Sequence, residues 1–261
     1  LAFVTIMILA SVFAPLVTQY DPQKVDLRMM LKPPSADHIL GTDKIGRDVF
    51  ARIIYGGRIS ILVGLGSALG AALIGVSIGA YTGYKGGWWD STFLRISEVV
   101  MSFPQIVLVL MLVTILGQSL MNLIIIFTLT GWGSLYRLTR AQMLSLREEE
   151  YVQALRAFGL NTFTICFKHI LPNALGPIMV NITLSTAMFI LQEAGLSFLG
   201  LGVPLNIPTW GNILNVAQDL RILQNYWWVW LPSAMTISLF VLAINFVGDG
   251  LRDTTDPTMQ G

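Results

Sequence analysis

Apolar residues concentrate in six stretches, 1–17, 59–81, 101–116, 120–135, 174–196 and 230–247. Each approaches the roughly 20 residues of helix that cross a hydrocarbon core. The runs are unbroken rather than alternating, unlike membrane β-strands. The pattern predicts an all-α, polytopic membrane protein with six transmembrane helices. Only Gly117-Gln118-Ser119 separates the third and fourth stretches, which predicts a tight antiparallel hairpin. The second stretch carries Gly66, Gly70, Ala71, Gly75, Gly79 and Gly83. Small residues at intervals near four let helix backbones approach closely in lipid, so this helix is expected to pack on another one. General tolerance of glycine in membrane helices is the plainer alternative.

Three polar segments separate the spans. Residues 19–58 are charged and contain Pro33-Pro34, a helix stop. Residues 137–172 hold a polar helix, a glycine break and a second amphipathic helix. Residues 197–228 are rich in glycine and proline yet carry Phe198, Leu199, Leu201 and Trp210, so they should fold against the protein surface. Trp88 and Trp89 after the second span, and Trp227, Trp228 and Trp230 before the last, read as interfacial anchors. The expected division is a first helix with its outer segment, 1–58, and a five-helix core, 59–261.

Composition agrees: 54% of residues are hydrophobic, 12% are charged, and mean hydropathy is +0.67. Ordinary domains carry about 25% charged residues. A net charge of +1 gives no reason to invoke nucleic acid. The single cysteine, Cys166, excludes an internal disulfide and a cysteine-rich metal site. The chain opens inside an apolar run at Leu1, without methionine, and is expected to be a true first span whose start lies upstream. A cleaved signal peptide is the competing reading, but no basic leading region is visible. Lys and Arg total eight on each side of the alternating spans, so the positive-inside rule sets no orientation.

Enzyme chemistry finds little support. Gly41-Thr42-Asp43-Lys44-Ile45-Gly46-Arg47-Asp48 spaces glycines like a phosphate loop, but Arg-Asp stands where Lys-Ser/Thr is required. Gly64-Leu65-Gly66 lacks the third glycine of a dinucleotide fingerprint. His38 and His169 lie in different segments without carboxylates at metal-ligand spacing. No nucleophile stands with a base, and no metal or cofactor is expected on this chain.

The segment from Arg137 is more informative. Val152, Leu155 and Phe158 form a narrow apolar stripe on a short helix, and Gly159 suits the left-handed residue that ends it. Asn161 or Thr162 then caps a second helix, 163–169, with bulk from Phe163, Ile165 and Phe167. Pro172 fits the first turn of the next span. Large apolar groups on a loop flanked by charge suggest a docking surface for a protein partner. A loop lying on the bilayer is the alternative.

Glu193 is the one acidic residue near the interior of a span, so it should face a cavity, a partner or water. A substrate-path or gating role stands beside a structural carboxylate held by loop amides around residues 195–202. Asn181, Ser185, Gln192 and Asn245 are further candidates for a polar path, or for contacts between helices.

Gln153-Ala154-Leu155, Gly159 and His169-Ile170-Leu171-Pro172 resemble the glutamate-alanine-alanine loop of permeases in binding-protein-dependent, ATP-driven importers. Glycine and Leu-Pro keep the register, while Gln153, Leu155 and His169 replace glutamate, alanine and isoleucine. Residues 41–48, Tyr55-Gly56 with Arg58-Ile59-Ser60, the run 193–202, and 248–253 with Asp256-Pro257 narrow the resemblance. They look like the second permease subunit of the oligopeptide/dipeptide/nickel family, and the likeness runs over 37–257.

That resemblance implies a type I permease fold in a bacterial or archaeal cell (inner) membrane. It implies a heterodimer with a homologous permease, two ATP-binding subunits holding ATP and Mg, and an extracytoplasmic substrate-binding protein. The ATPase-coupling loop would be cytoplasmic and use Tyr151, Gln153, Ala154, Leu155, Arg156, Phe158, Gly159, Phe163, Phe167, His169, Leu171 and Pro172. Asp43, Arg47, Asp48, Phe198 and Trp210 would serve extracytoplasmic docking. The expected cargo is peptides, with nickel complexes or glutathione-like peptides as further classes. Rival readings are a gradient-driven secondary transporter, for which only Glu193 qualifies as an ion-relay carboxylate, and a membrane-embedded enzyme.

Overall fold

The expected spans fold as helices, but caps and prolines rather than fading hydrophobicity decide where they end. The computed structural model describes residues 1–255, with side chains to residue 253, so the Asp256-Pro257 match lies outside the described residues. Helix α1 (Ala2–Val12) is followed by a single turn, α2 (Ala14–Val17). Helix α3 (Val49–Lys85) begins well before its apolar run. Its start is set by Asp48, whose carboxylate accepts the Ala51 N–H at 2.6 Å. At 37 residues it is about 55 Å long, more than a hydrocarbon core requires.

The expected span 101–116 is instead a bent pair. Helix α4 (Gly87–Met101) covers residues expected to be loop, and α5 (Gln105–Leu116) follows at 84°. Pro104 lies in the break, where its missing N–H and its bias against a helical Phe103 stop continuation. The hairpin forms as expected: Gly117 takes φ +83°, and Asn122 Nδ2 donates to the Leu116 and Gly117 carbonyls. Helix α6 (Leu120–Leu146) runs past residue 135, so Arg137 and Arg140 belong to it and not to a loop.

After α7 (Glu150–Ala157) comes a second departure. The turn α8 (Thr162–Thr164), a π-turn at Ile165–Ile170 and a 3₁₀ turn at Leu171–Ala174 lead into α9 (Leu175–Phe198). The whole stretch Thr162–Phe198 is one continuous helical span. Pro172 therefore does not open a new helix. Changed turn types absorb it, and the Asn173 side chain donates to the His169 carbonyl at 3.1 Å. The outer segment folds into α10 (Trp210–Leu214) and α11 (Leu220–Asn225), and α12 (Trp227–Thr255) completes the described chain. Three spans, Val49–Lys85, Thr162–Phe198 and Trp227–Asp253, are long and apolar enough to cross a membrane, with the α4–α5 pair as a fourth. The chain is a multi-pass, all-helical membrane protein, and no strand forms among the described residues.

The chain divides into two compact units, each assembled from stretches distant in sequence. The first comprises 1–66, 110–124 and 186–246. Its core gathers Val49, Ile53, Ile190, Trp210, Ile237 and Phe240. Trp210 is wholly buried, edge-on to Phe240 at 5.0 Å, with its indole N–H on the Ile53 carbonyl. The apolar outer segment is thus packed as expected.

The second unit holds 67–109, 125–185 and residues from 247. Within it, the glycine face of α3 lies against α6. A Cβ on Gly75 would sit 2.6 Å from the Trp132 carbonyl oxygen, and one on Gly79 would sit 2.7 Å from that of Tyr136. One on Gly83 would meet the Arg140 backbone at 3.0 Å. Both helices advance together along this contact, so they run parallel, and the close-packing expectation holds.

Candidate functional site

The predicted loop lies in the second unit and is built as a fixed turn. The Leu160 N–H reaches the Leu155 carbonyl at 3.3 Å and the Gly159 N–H reaches that of Arg156 at 2.9 Å. With Gly159 at φ +76°, this is a Schellman end to α7. Asn161 caps the next turn by accepting the Thr164 N–H at 2.7 Å. Beneath the turn, Val152 joins Ala80, Tyr84, Met143, Ile165, Cys166 and Ile170 in a buried cluster, with Leu155, Phe167 and Leu171 packed against it.

The expected stripe therefore splits. Val152 faces inward and Leu155 is half-buried, but Phe158 is 82% exposed and Phe163 65%. Tyr151, Gln153, Ala154, Arg156 and Pro172 are also exposed, and His169 is half-buried. Phe163 and Phe167 stack at 4.6 Å. Gln153 donates to the Glu148 carbonyl at 3.1 Å, and Tyr151 accepts from Asn173.

Two anchors escaped sequence reading. Arg156 Nε donates to Tyr84 Oη at 3.1 Å while its guanidinium covers that ring at 5.0 Å, fastening α7 to α3. Asp90 of α4 receives Arg140 of α6 through two bonds of 2.6 Å, with side chains 11% and 24% exposed. The signal available was that an arginine within a span needs a partner, which placing Arg140 in a loop had hidden.

The first unit holds two further groups of expected site residues. Glu193 lines no open path: it is wholly buried among hydroxyls. Ser60 Oγ and Ser197 Oγ donate to it at 3.1 and 2.7 Å, and the Thr209 side chain is a third partner. The holders are hydroxyls, not the loop amides envisaged for a structural carboxylate. Ser60 in turn accepts the Trp210 N–H at 3.1 Å, and Thr209 accepts that of Asn212. Glu193 thus secures the start of α10.

The residues expected to dock lie largely inward. Asp43, Asp48 and Trp210 are buried, Phe198 is half-buried, and the Arg47 side chain is 12% exposed. Asp43 accepts the Ile45 and Arg47 N–H groups, Arg47 Nε at 2.7 Å and Arg52 Nη1 at 3.2 Å, which closes the 41–48 turn internally. Asp48 lies 2.8 Å from His38 Nδ1, a pairing the sequence did not suggest. Asn181 and Ser185 lie half-buried on α9 in the second unit, 3.4 Å apart. Gln192 and Asn245 are half-buried in the first.

Comparison with known proteins places these features in a family. Residues 75–261 match the family described as binding-protein-dependent transport system inner membrane component. Dipeptide transport system permease DppC of Bacillus subtilis is 42% identical over 96% of this chain and 78% of its own length. DppC of Alkalihalophilus pseudofirmus is 41% identical over 100% of this chain and 85% of its own. Oligopeptide transport system permease OppC of Bacillus subtilis is 40% identical over the same shares. An inward-facing structure of the MetNI methionine ABC transporter matches with a TM-score of 0.61 and 19% identity, over 78% of this chain and 95% of that one. That likeness shows the fold, that of a type I ABC importer permease.

Proposed function

Because this chain belongs to the binding-protein-dependent transport system inner membrane components, we propose that it is one of two homologous permeases enclosing a peptide path. As a member of that family it is a transport component and not an enzyme. Two separate ATPase subunits, which hold the ATP and Mg, close on nucleotide and push on the turn around Gly159 from the cytoplasm. An extracytoplasmic binding protein delivers cargo to the opposite face of the inner membrane. The names of the full-length relatives support peptides as cargo.

One observation carries the mechanical part. Exposed Phe158 and Phe163 crown a turn whose underside is buried in Val152, Ile165, Cys166 and Ile170. A patch like this receives a partner on one side and transmits displacement through the other. Alternating access then follows when binding biases a two-state membrane element. The fully buried Glu193 speaks against an ion-relay transporter, since its partners are the hydroxyls of Ser60, Ser197 and Thr209, the first and last of them tied to α10.

Gentle affinity purification from native membranes tests the reading. A second permease and ATPase subunits should accompany the chain, with peptide uptake that stops when ATP is depleted. Recovery of a lone homo-oligomer, or uptake abolished by a protonophore at constant ATP, would defeat it.

A further inference from the structure

At the end of α3, a shallow cleft of about 520 Å³ opens among Tyr84, Lys85, Arg147, Glu148, Arg156 and Thr162. Its charge is lopsided: three cations face one carboxylate. Glu148, 67% exposed, engages Arg147 Nε at 2.8 Å and leaves the other guanidinium nitrogens. Arg147 Nη1 reaches the Gly83 carbonyl at 3.4 Å. The other two cations rest on neutral oxygens, Lys85 on Tyr81 Oη at 3.2 Å and Arg156 on Tyr84 Oη. Two cationic groups thus lack a carboxylate partner in the cleft and are held open to solvent by aromatic rings.

The tryptophans that follow the cleft in the chain point to the ligand. It sits where a 37-residue span ends, immediately before Trp88 and Trp89, which are 70% and 51% exposed. Exposed tryptophans mark the headgroup level, where lipid phosphates lie. Arginine and lysine are the side chains that recognise phosphate, and basic pockets between membrane helices hold anionic headgroups.

We propose that this cleft binds a phosphate group, supplied by the headgroup of an anionic phospholipid. The charged ends of Lys85 and Arg156 sit over the Tyr81 and Tyr84 rings and meet the phosphate beside Arg147 with their remaining N–H groups. Arg147 and Arg156 belong to the segment on which the ATPases are proposed to act, so the site rests on that docking leaving the cleft open to lipid, and the arms below separate the two.

Native mass spectrometry of the full complex in neutral detergent tests this, with phosphatidylglycerol or phosphatidylcholine added. The wild type should retain one phosphatidylglycerol more than the Lys85→Gln/Arg147→Gln variant. At about 1 kcal/mol per basic residue, the variant's affinity should fall about thirtyfold. Lys85→Arg/Arg147→Lys should keep the lipid, and phosphatidylcholine retention should be the same throughout. Equal phosphatidylglycerol retention by wild type and the glutamine variant would overturn the site. Loss in the charge-keeping variant would overturn charge as its basis. Binding of labelled inorganic phosphate without any lipid preference would reassign the ligand to free phosphate. Unchanged lipid with ATPase subunits lost from the glutamine variant would show a protein-docking patch instead.

Discussion

Replacing Glu193 by alanine should loosen the outer segment far more than it alters any path for cargo. Ser60, Ser197 and Thr209 are each wholly buried, and each gives a hydrogen bond to this carboxylate. Removing it orphans buried hydroxyls, at about 1–3 kcal/mol for each that stays unsatisfied. Ser60 and Thr209 keep their backbone contacts to Trp210 and Asn212, so the loss is partial. A net destabilisation of about 3 kcal/mol follows, which for a chain of this size lowers Tm by about 6–12 °C. Glutamine keeps one oxygen for Ser197 and offers an amide to a second hydroxyl, so Glu193→Gln should cost less than about 1 kcal/mol. The assay is thermal unfolding of the purified complex by intrinsic fluorescence, paired with peptide uptake in proteoliposomes. A double-mutant cycle with Ser60→Ala should be strongly non-additive, because both changes break one network. If Glu193→Ala left Tm unchanged while uptake vanished, the carboxylate would belong to the path and the structural account would be wrong.

Four further outcomes follow from the geometry. At Gly159, φ is +76° and a Cβ would meet nothing within 4 Å, so only backbone conformation is at stake. Gly159→Val should uncouple ATP hydrolysis from uptake without impairing membrane insertion, whereas Gly159→Asn, which tolerates the left-handed region, should retain coupling. Gly79→Leu should destabilise by several kcal/mol or block folding, since its Cβ would press on the Tyr136 carbonyl oxygen at 2.7 Å. By contrast Gly195→Ala, with open space around it inside α9, should stabilise by about 0.5–1 kcal/mol; both are read as Tm of the complex. Asp90→Ala should cost about 3 kcal/mol by stranding Arg140, and Asp90→Ala/Arg140→Leu should recover part of that loss in the same measurement.

The helical membrane class, the glycine face and the Gly159 turn were legible because each rests on local spacing or a single residue's conformational range. Helix ends were not legible. Asp48 starts α3 through one carboxylate bond, and Pro104 bends a span that hydropathy alone reads as straight. Pro172 misled in the opposite direction, because a π-turn and a 3₁₀ turn carried the helix past it. The polar residues failed for two reasons. Asp43 and Asp48 look like surface groups in sequence, yet the turn around them folds back on their carboxylates, and Glu193 looks like a pathway group because its partner Ser60 lies far away in the chain.

Transmission of a push requires that the loop not deform by itself, and the second unit meets that requirement through several independent contacts. Displacing α7 would have to drag Tyr84 through Arg156, and with it α3. Helix α3 cannot slide along α6, because Gly79 and Gly83 bring the two backbones to van der Waals contact. Helix α6 in turn grips α4 through the Asp90–Arg140 pair. The crown of the loop, Phe158 and Phe163, is largely exposed. A force delivered to that crown therefore moves α3, α4 and α6 together, while the exposed aromatic rings stay free to adapt to a partner. Loss of Phe158 and Phe163 should thus cost coupling with little loss of stability, while loss of Arg156 should cost both.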